Sequence, residues 1–442
     1  MLYYLKNKSV ITNKKKTVAF KTLGCRLNQY ETDALVTDFS EAGYELVDTN
    51  SSPDVVIVNT CTVTNQSDQK SRTVISQAAR KTKNAVVVVT GCMANNFKEK
   101  LESQENITFV VENSRKSSIL ALVDAHFSGE ILHPDKLPED VFRYEPVRKS
   151  LHTRSAVKIQ DGCDNFCTFC IIPMVRGMAV SRPVADVLES VRKTIDNGFK
   201  EIVITGVNIG RYEDGLVRFE GLLAQILEVP GDFRVRISSL EPDGFGDDFV
   251  KLFANPKLMP HLHLCLQSGS EKTLLRMRRM YDVEQFRKTI KLFRATYPDF
   301  NFTTDIIVGF PGETEEEFQQ TLDAVNEFNF SHIHTFKYSV RKGTRAERLE
   351  NHIHEKVKTA RSLQVRELSV ENKMRYFNTF IGKSENVLIE KITQGIANGY
   401  GQHYVPVRFK VSGVLKNTVH AVTLTEIRGT DEDMYLFGEI SN

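Results

Sequence analysis

The sequence predicts an α/β protein in three parts: an N-terminal open parallel α/β domain, a central partial (β/α)6 barrel and a small C-terminal β-barrel. Three observations lead to this prediction. Short β-branched runs alternate with helical stretches over residues 17–127. Strand and helix patterns repeat regularly over 155–340, and short alternating runs punctuated by glycine begin near Gly382. With 442 residues the chain has room for about three domains.

The composition is that of a globular protein and excludes several other classes. Hydrophobic residues make up 41% and charged residues 26% of the chain, and the formal net charge is +2. This charge neither requires nor excludes a nucleic-acid partner. Because no apolar run approaches the length of about 18 residues that a membrane helix needs, we expect no membrane partner. Seven cysteines without an export signal indicate a reducing, cytoplasmic location.

The N-terminal domain, residues 17–127, is predicted from buried parallel strands that alternate with helices. The predicted strands are Val18–Leu23, Val55–Val58 and Ala85–Val89, and the predicted helices include Asn28–Ala42 and Gln66–Lys81. Residues 128–154 contain Pro134, Pro138 and Pro146 among polar residues and are predicted to be a linker.

The central domain, residues 155–375, is predicted from six strand–helix units whose right-handed crossovers would curl into a partial barrel. Its strands are expected to begin near Ala156, Glu201, Arg234, His261, Phe302 and His332, with helices such as Val184–Asn197 and Thr314–Phe328 between them. A charged helix over 355–377 would follow the last strand. Residues 376–442 then form the small β-barrel, with strands predicted at Asn386–Glu390, Tyr404–Phe409, Val419–Thr425 and Tyr435–Gly438.

Cys163, Cys167 and Cys170 form a C-x3-C-x2-C triplet directly after the first barrel strand. Three thiolates on one loop can hold three irons of a 4Fe–4S cluster and leave the fourth iron open. An open metal position is where a substrate can bind and react. The alternative is a structural zinc site with His152 or Asp161 as a fourth ligand, although zinc spacing is normally paired CxxC.

Cys25, Cys61 and Cys92 form a second triplet that is spread along the N-terminal domain. Each cysteine comes one to three residues after the end of a predicted strand. Because the loops after parallel strands share one edge of a sheet, we expect the three thiols to converge and hold a second cluster with one open iron. The alternative is a chance scatter of buried thiols. Cys265, in the middle of a strand, is predicted to be structural.

The barrel strand that begins at His261 alternates in polarity. Leu262, Leu264 and Leu266 would face the surrounding helices, whereas His261, His263, Cys265 and Gln267 would face the barrel interior. A polar interior is expected if the barrel holds a polar ligand.

The two cysteine triplets, in this order and followed by a small β domain, resemble the radical S-adenosylmethionine methylthiotransferases over residues 17–442. The resemblance implies two 4Fe–4S clusters, S-adenosylmethionine and a C-terminal TRAM-like RNA-binding domain. It implies that the radical-SAM barrel cluster binds S-adenosylmethionine at its open iron and cleaves it to a 5′-deoxyadenosyl radical. The auxiliary cluster would present the sulfur, which a second S-adenosylmethionine methylates.

The resemblance also implies which residues contact the cofactor near the carboxyl ends of the barrel strands. These residues are Phe169, Thr205, Gly206, Ser239, Glu241, Gln267, Ser268, Asp305, Gly309 and Phe310. For most of them a turn or packing role is the alternative. Substrate or RNA contacts are expected at Arg176, Arg278, Arg279, Arg341 and Arg408, with ordinary surface salt bridges as the alternative.

The segments TLGCRLNQYETD, NTCTVTNQSDQKSR and ITGVNIG are most similar to the branch that thiomethylates threonylcarbamoyladenosine at position 37 of tRNA, in the anticodon loop. Single-stranded loops are where bases can be read. Further implied partners are an electron donor such as flavodoxin or ferredoxin and a sulfur source. The sequence departs from the usual pattern at Met93, Asn95, Met174 and Val180, so the substrate contacts there are open.

The sequence also leaves rival functions open. The same chemistry could act on isopentenyladenosine of tRNA or on an aspartate of a ribosomal protein. The chain could also methylate by a radical route without inserting sulfur. A hypothesis of another class is a non-catalytic protein that binds zinc and RNA.

Overall fold

The computed structural model describes residues 15–81, 85–144 and 153–441. Most of the basic N-terminal segment, together with Pro146 and His152 of the predicted linker, lies outside these residues. The described chain contains an N-terminal parallel sheet with helices, a curled parallel sheet with helices outside it, and a closed C-terminal barrel. The predicted α/β architecture is therefore confirmed. No helix among the described residues is both long enough and apolar enough to cross a membrane.

The N-terminal domain is a five-stranded parallel sheet between helices. In sheet order its strands are Glu45–Leu46, Thr17–Thr22, Val55–Thr60, Val86–Gly91 and Phe109–Val111. Its helices are Arg26–Glu41, Asn65–Lys81, Cys92–Asn96, Lys98–Glu102 and Ile119–Ser128. The central strand Val55–Thr60 is buried along its whole length. Its unbroken β-branched run fits this position, because helices cover both faces of the sheet.

The central domain has six principal parallel strands that neighbour one another in chain order. They are Ser155–Lys158, Glu201–Thr205, Arg234–Ile237 with its extension Ser239–Leu240, His261–Leu264, Asn301–Val308 and His332–Lys337. The outer helices are Val184–Asp196, Phe219–Glu228, Glu271–Met277, Val283–Thr296, Glu315–Phe328 and Glu355–Asn378, and the short helix Ile172–Arg176 follows the cysteine loop. Leu262, Leu264 and Leu266 are fully buried in the core that these helices share, as the alternation predicts.

The C-terminal domain is a closed five-stranded barrel. Its strands are Ser384–Thr393, Ile396–Tyr400, Pro406–Lys410, Val419–Arg428 and Tyr435–Ile440. The sequence did not predict the strand Ile396–Tyr400, because Asn398 and Gly399 have low strand propensity. Gly399 is nevertheless required, since a Cβ there would lie 1.9 Å from the Leu388 carbonyl oxygen on the adjacent strand.

The N-terminal domain closes the gap between the first and last strands of the partial barrel. On one side Lys158 Nζ lies 3.0 Å from Glu31 Oε1. On the other side Arg341 Nη1 lies 2.7 Å from Asp68 Oδ2, just beyond the last strand. The interior of the central domain is therefore bounded by two domains rather than by a complete ring of strands.

The C-terminal barrel packs against the amino ends of the central strands. Arg234 donates hydrogen bonds to the Asn386 and Tyr400 carbonyl oxygens, at 2.9 and 3.0 Å. Asn301 Nδ2 donates to the His403 carbonyl oxygen at 2.6 Å. The end of the barrel that carries the cysteine loop stays available for the active site.

Part of the predicted linker packs onto the N-terminal domain. Leu137 is buried in its hydrophobic core, and the Tyr144 ring meets Tyr30 edge to face. These two apolar side chains among polar neighbours account for the difference from a free linker.

Candidate active site

The auxiliary cysteines, Cys25, Cys61 and Cys92, meet at the carboxyl edge of the N-terminal sheet. Cys25 precedes the helix Arg26–Glu41, Cys61 follows the central strand, and Cys92 begins the next short helix. Both Cys25 and Cys92 act electrostatically on the Cys61 thiol. Three positions far apart in the sequence thus form one group, as expected for parallel strands that end at a common edge.

Two neighbouring residues, Gly24 and Asn28, hold this edge together. Gly24 has φ +98°, and a Cβ there would lie 2.8 Å from Cys61 Cβ and 3.0 Å from Cys61 Sγ. Asn28 Nδ2 donates to the Leu23 carbonyl oxygen at 2.8 Å and to the Thr60 carbonyl oxygen at 3.0 Å. The Asn28 amide therefore ties together the two strand ends that carry Cys25 and Cys61.

The barrel cysteines, Cys163, Cys167 and Cys170, lie on one tight loop above the central strands. The Cys163 backbone N–H donates to the Gly177 carbonyl oxygen at 3.1 Å, and that of Cys170 donates to the Cys167 carbonyl oxygen at 3.0 Å. Arg279 Nη1 lies 3.2 Å from Cys167 Sγ. This contact places a fixed positive charge beside a thiol of the triplet.

Burial raises the pKa of the buried thiols in the two cysteine triplets. Desolvation raises the pKa of Cys61 to about 11 and that of Cys170 to about 12. It also raises the pKa of Cys92, Cys163 and Cys167. Without metal these groups would be protonated thiols, and a bound cationic centre would stabilise the thiolates.

The spacing of the sulfur atoms argues against a single zinc ion held by either triplet. Three thiolates on one zinc, with Zn–S bonds of about 2.3 Å, lie roughly 3.8 Å from one another. Within the described ranges, neither cysteine triplet brings all its sulfur atoms within 4.8 Å. The three thiols of each triplet are a donor set that suits an iron–sulfur cluster.

One cavity of about 180 Å³ lies where the barrel cysteine loop meets the N-terminal domain. Val63 and Thr64, just after Cys61, form its N-terminal wall, and Cys170 with Phe169 forms the loop side. Cys92 also packs against Ile171 and Val175 of the segment that follows Cys170. The two triplets therefore face each other across the domain junction.

The residues predicted to contact the cofactor divide into two groups. Phe169, Gln267 and Asp305 line the cavity. Glu241 lies near the barrel triplet, with Oε1 2.8 Å from Arg279 Nη2 and Oε2 2.7 Å from Asn165 Nδ2. The structure brings these four residues to the barrel triplet.

The other predicted contacts shape the backbone or the core around the site. Gly206 and Gly309 leave room for Gln160 and Lys358, since a Cβ would lie 2.8 Å from the Gln160 carbonyl oxygen and 2.4 Å from Lys358 Cγ. Thr205, Ser268 and Phe310 are buried, and Phe310 meets Phe169 at 6.3 Å between ring centroids. Ser239 is exposed at the strand extension.

Two of the arginines predicted to contact substrate or RNA lie in the protein interior. Arg176 Nη1 lies 3.0 Å from both Glu31 Oε1 and Asp161 Oδ2, and its side chain is 1% exposed. Arg341 is buried against Asp68. Because both guanidinium groups form ion pairs with buried carboxylates, they lie between the domains and away from an RNA-facing surface.

The remaining predicted arginines occupy three different settings. Arg279 is buried beside Cys167 and Glu241. Arg278 is exposed, and Arg408 is half-buried with its guanidinium 3.9 Å from the Tyr435 ring centre. Arg278 and Arg408 are thus the two of the five that retain access to a large ligand.

Sequence reasoning missed several residues that contact the thiols. Asn113 Nδ2 lies 3.9 Å from Cys92 Sγ, and Asn208 lies beside Cys163, whose pKa it lowers against the effect of burial. Asn208 belongs to the ITGVNIG segment and directly follows a barrel strand, which was a usable signal. Asn113 follows Phe109–Val111, a short strand of the same sheet that the sequence did not predict.

Comparisons with known proteins agree with this site. Residues 17–112 match the model described as "Uncharacterized protein family UPF0004", and residues 157–325 match the Radical SAM superfamily. The chain is 38% identical to the threonylcarbamoyladenosine tRNA methylthiotransferase MtaB of Thermotoga maritima, over 89% of this chain and 91% of that protein. It is 33% identical to the tRNA-2-methylthio-N(6)-dimethylallyladenosine synthase of Thermodesulfovibrio yellowstonii, over 87% and 91%.

A solved structure supports the fold. The radical S-adenosylmethionine methyltransferase TsrM from Kitasatospora setae, with cobalamin and a 4Fe–4S cluster bound, superposes with a TM-score of 0.53. It is 17% identical and covers 73% of this chain and 75% of that chain. The two cysteine triplets, both family models and a curated relative that matches along most of its length agree on one assignment. This chain belongs to the radical S-adenosylmethionine tRNA methylthiotransferases.

Proposed function

We propose that this enzyme places a methylthio group on carbon 2 of threonylcarbamoyladenosine at position 37, next to the anticodon of tRNA. The observation that supports the proposal is the contact between the two cysteine-bearing segments: Cys170 shares a cavity with Val63 and Thr64, and Cys92 packs against the segment that follows Cys170. Sulfur insertion requires a sulfur-bearing centre and a radical-generating centre close to the same substrate atom. The curated relative in Thermotoga maritima bears the name of this activity.

Each triplet would hold one 4Fe–4S cluster through its three thiolates. When bound, these clusters and S-adenosylmethionine supply the hydrogen abstraction, the sulfur and the methyl group. Arg279 holds a positive charge 3.2 Å from Cys167 Sγ and so favours the thiolate form. Phe169, Gln267 and Asp305 offer an aromatic face, an amide and a carboxylate to a ligand in the cavity.

The RNA would approach over exposed cations near the cluster loop. Two segments bond to Thr168 of that loop: its N–H donates to the Met277 carbonyl oxygen at 3.0 Å, and its carbonyl oxygen accepts from the Ala346 N–H at 2.8 Å. These segments carry the exposed side chains Arg278, Lys342 and Arg345. Exposed cations are suited to phosphate contacts, and the C-terminal barrel would add Arg408.

The remaining partners follow from the chemistry. Reductive cleavage needs one-electron donation, for which flavodoxin or ferredoxin is suitable, and repeated turnover needs a sulfur source for the auxiliary cluster. Because tRNA is modified in the cytoplasm, we place the enzyme there.

The test is nucleoside mass spectrometry of tRNA from a strain that lacks this gene, complemented with the wild type, Cys25→Ala, Cys163→Ala or the control Cys265→Ser. We expect the methylthio derivative of threonylcarbamoyladenosine with the wild type and the control only. Its presence in the uncomplemented strain would refute the substrate assignment, and loss of the methylthio isopentenyl derivative instead would favour the other tRNA branch.

Three alternative functions do not insert sulfur into tRNA, and each predicts a different experimental result. If the same chemistry acts on a ribosomal protein, the change appears as a mass shift of that protein, with tRNA unaltered. Radical methylation without sulfur insertion predicts that Cys25→Ala keeps full product formation. A zinc-binding, non-catalytic protein would contain zinc but neither iron nor sulfide after anaerobic purification.

A further inference from the structure

A group of two histidines and one aspartate, of which His334 is exposed and the other two are half-buried, lies on the last three barrel strands, apart from the six cluster cysteines. Among the described residues, His263, Asp305 and His334 alone form a group of three potential ligand residues whose ligand atoms all lie within 4.8 Å of one another. The geometry points to a binding site for one divalent transition-metal ion, such as Zn²⁺, held by these three side chains.

The distances in the group are close to those of a metal site. His263 Nε2 lies 3.2 Å from Asp305 Oδ1. Two ligands on a tetrahedral metal, with bonds of about 2.0–2.1 Å, are separated by roughly 3.3 Å. The His263–Asp305 pair thus needs almost no movement to share an ion, and His334 needs a small approach.

The ligand types favour a transition metal over Mg²⁺ or Ca²⁺. Imidazole nitrogen suits zinc and other late first-row metals, whereas the alkaline-earth ions require mostly oxygen ligands. Two imidazoles and one carboxylate also form a three-ligand set that leaves coordination positions open. Since Asp305 also lines the cavity, a ligand bound there would be adjacent to the ion.

The surroundings orient the ligands as a metal site requires. His263 Nδ1 lies 3.0 Å from Thr303 Oγ1, so one ring nitrogen is held while the other faces Asp305. His332 Nε2 lies 3.3 Å from His334 Nδ1.

The three ligands also lie on a rigid frame. They stand on three adjacent parallel strands, in which Asp305 is paired with His334 and His263 is paired with Thr303. Ligands on paired strands are already positioned before the metal binds, which lowers the entropy cost of forming the site.

The test is a zinc count on holoenzyme whose cluster iron and sulfide are fully loaded. The protein is dialysed anaerobically against graded Zn²⁺, and bound zinc is measured by inductively coupled plasma mass spectrometry. We expect one saturable zinc per chain in the wild type and in the control His133→Ala, an exposed histidine of the segment that follows the N-terminal domain. Asp305→Asn and His334→Ala should bind at least about tenfold more weakly.

Iron and sulfide content identifies variants that have lost their fold. If either ligand variant fails this check, Thr303→Val replaces it, since removal of the support for His263 should weaken zinc binding about 10–100-fold. Wild-type protein that binds no more zinc than Asp305→Asn would overturn the proposal. The zinc count does not depend on which RNA base is modified, so it tests the metal site independently of the proposed function.

Discussion

Glu31 lies at the centre of a buried ion cluster between the N-terminal and central domains, and we predict that Glu31→Gln loosens this junction. The carboxylate contacts Lys116, Lys158 and Arg176, all of which are buried. Although burial alone would raise it, these three cations hold the pKa of Glu31 well below its ordinary value. Glutamine keeps the size of the side chain and removes its charge.

The expected loss follows from the contact distances. Lys158 Nζ and Arg176 Nη1 each lie 3.0 Å from Glu31 Oε1. At an effective dielectric constant of about 20, each pair is worth about 5.5 kcal/mol before desolvation is subtracted. Breaking a buried pair from one side costs about 3–5 kcal/mol net, because uncompensated charges remain.

The measurement is hydrogen exchange by mass spectrometry on peptides from 26–41 and 153–161, which meet at the junction. A loss of about 3–5 kcal/mol in local opening free energy corresponds to roughly two to four decades in exchange rate. The matched control is Glu105→Gln, an exposed carboxylate of the same domain. Exchange within tenfold of the wild type in the junction peptides of Glu31→Gln would refute the reasoning.

Two further predictions concern the cysteine sites. Arg279→Gln removes the charged donor that lies 3.2 Å from Cys167 Sγ. A loss of about 1.4 kcal/mol in stabilisation of the reduced cluster should lower the reduction potential of the barrel cluster by about 60 mV, measured by an electron paramagnetic resonance titration. An unchanged potential would contradict this prediction. Gly24→Ala should reduce bound iron by about half, because its Cβ would lie 3.0 Å from Cys61 Sγ. Gly43→Ala is the control, since Gly43 has a similar φ of +90° and an added Cβ there would have no atom within 4 Å. Equal iron content in both variants would show that backbone strain, and not the contact with the thiol, causes the loss of iron.

Local patterns predicted most of the architecture and where the cysteines lie at the strand ends. The buried strand Val55–Thr60 is recognisable from its unbroken β-branched run, and its carboxyl end determines where Cys61 lies. The alternation after His261 likewise separated the helix-facing leucines from the interior polar face. These features can be predicted from the spacing of polar and apolar residues and from the common edge at which parallel strands end.

Docking between domains was not predictable in the same way. Arg176 and Arg341 were expected to contact substrate or RNA, but they pair with Glu31 and Asp68, which lie 145 and 273 residues away along the chain. The same limit applies to His334, which belongs to another strand than His263. A single sequence shows which side chains can pair and leaves open which of them meet.

The charges of the buried junction do not cancel within the group around Glu31. Two carboxylates, Glu31 and Asp161, face the cations Lys116, Lys158 and Arg176. Lys116 and Arg176 also act on the Cys92 thiol and favour its ionised form. Loss of the Cys92 proton on metal binding would place a negative charge beside these cations, so we expect metal loading at Cys92 to strengthen the domain junction. The apoprotein should then have a weaker junction than the metal-loaded enzyme.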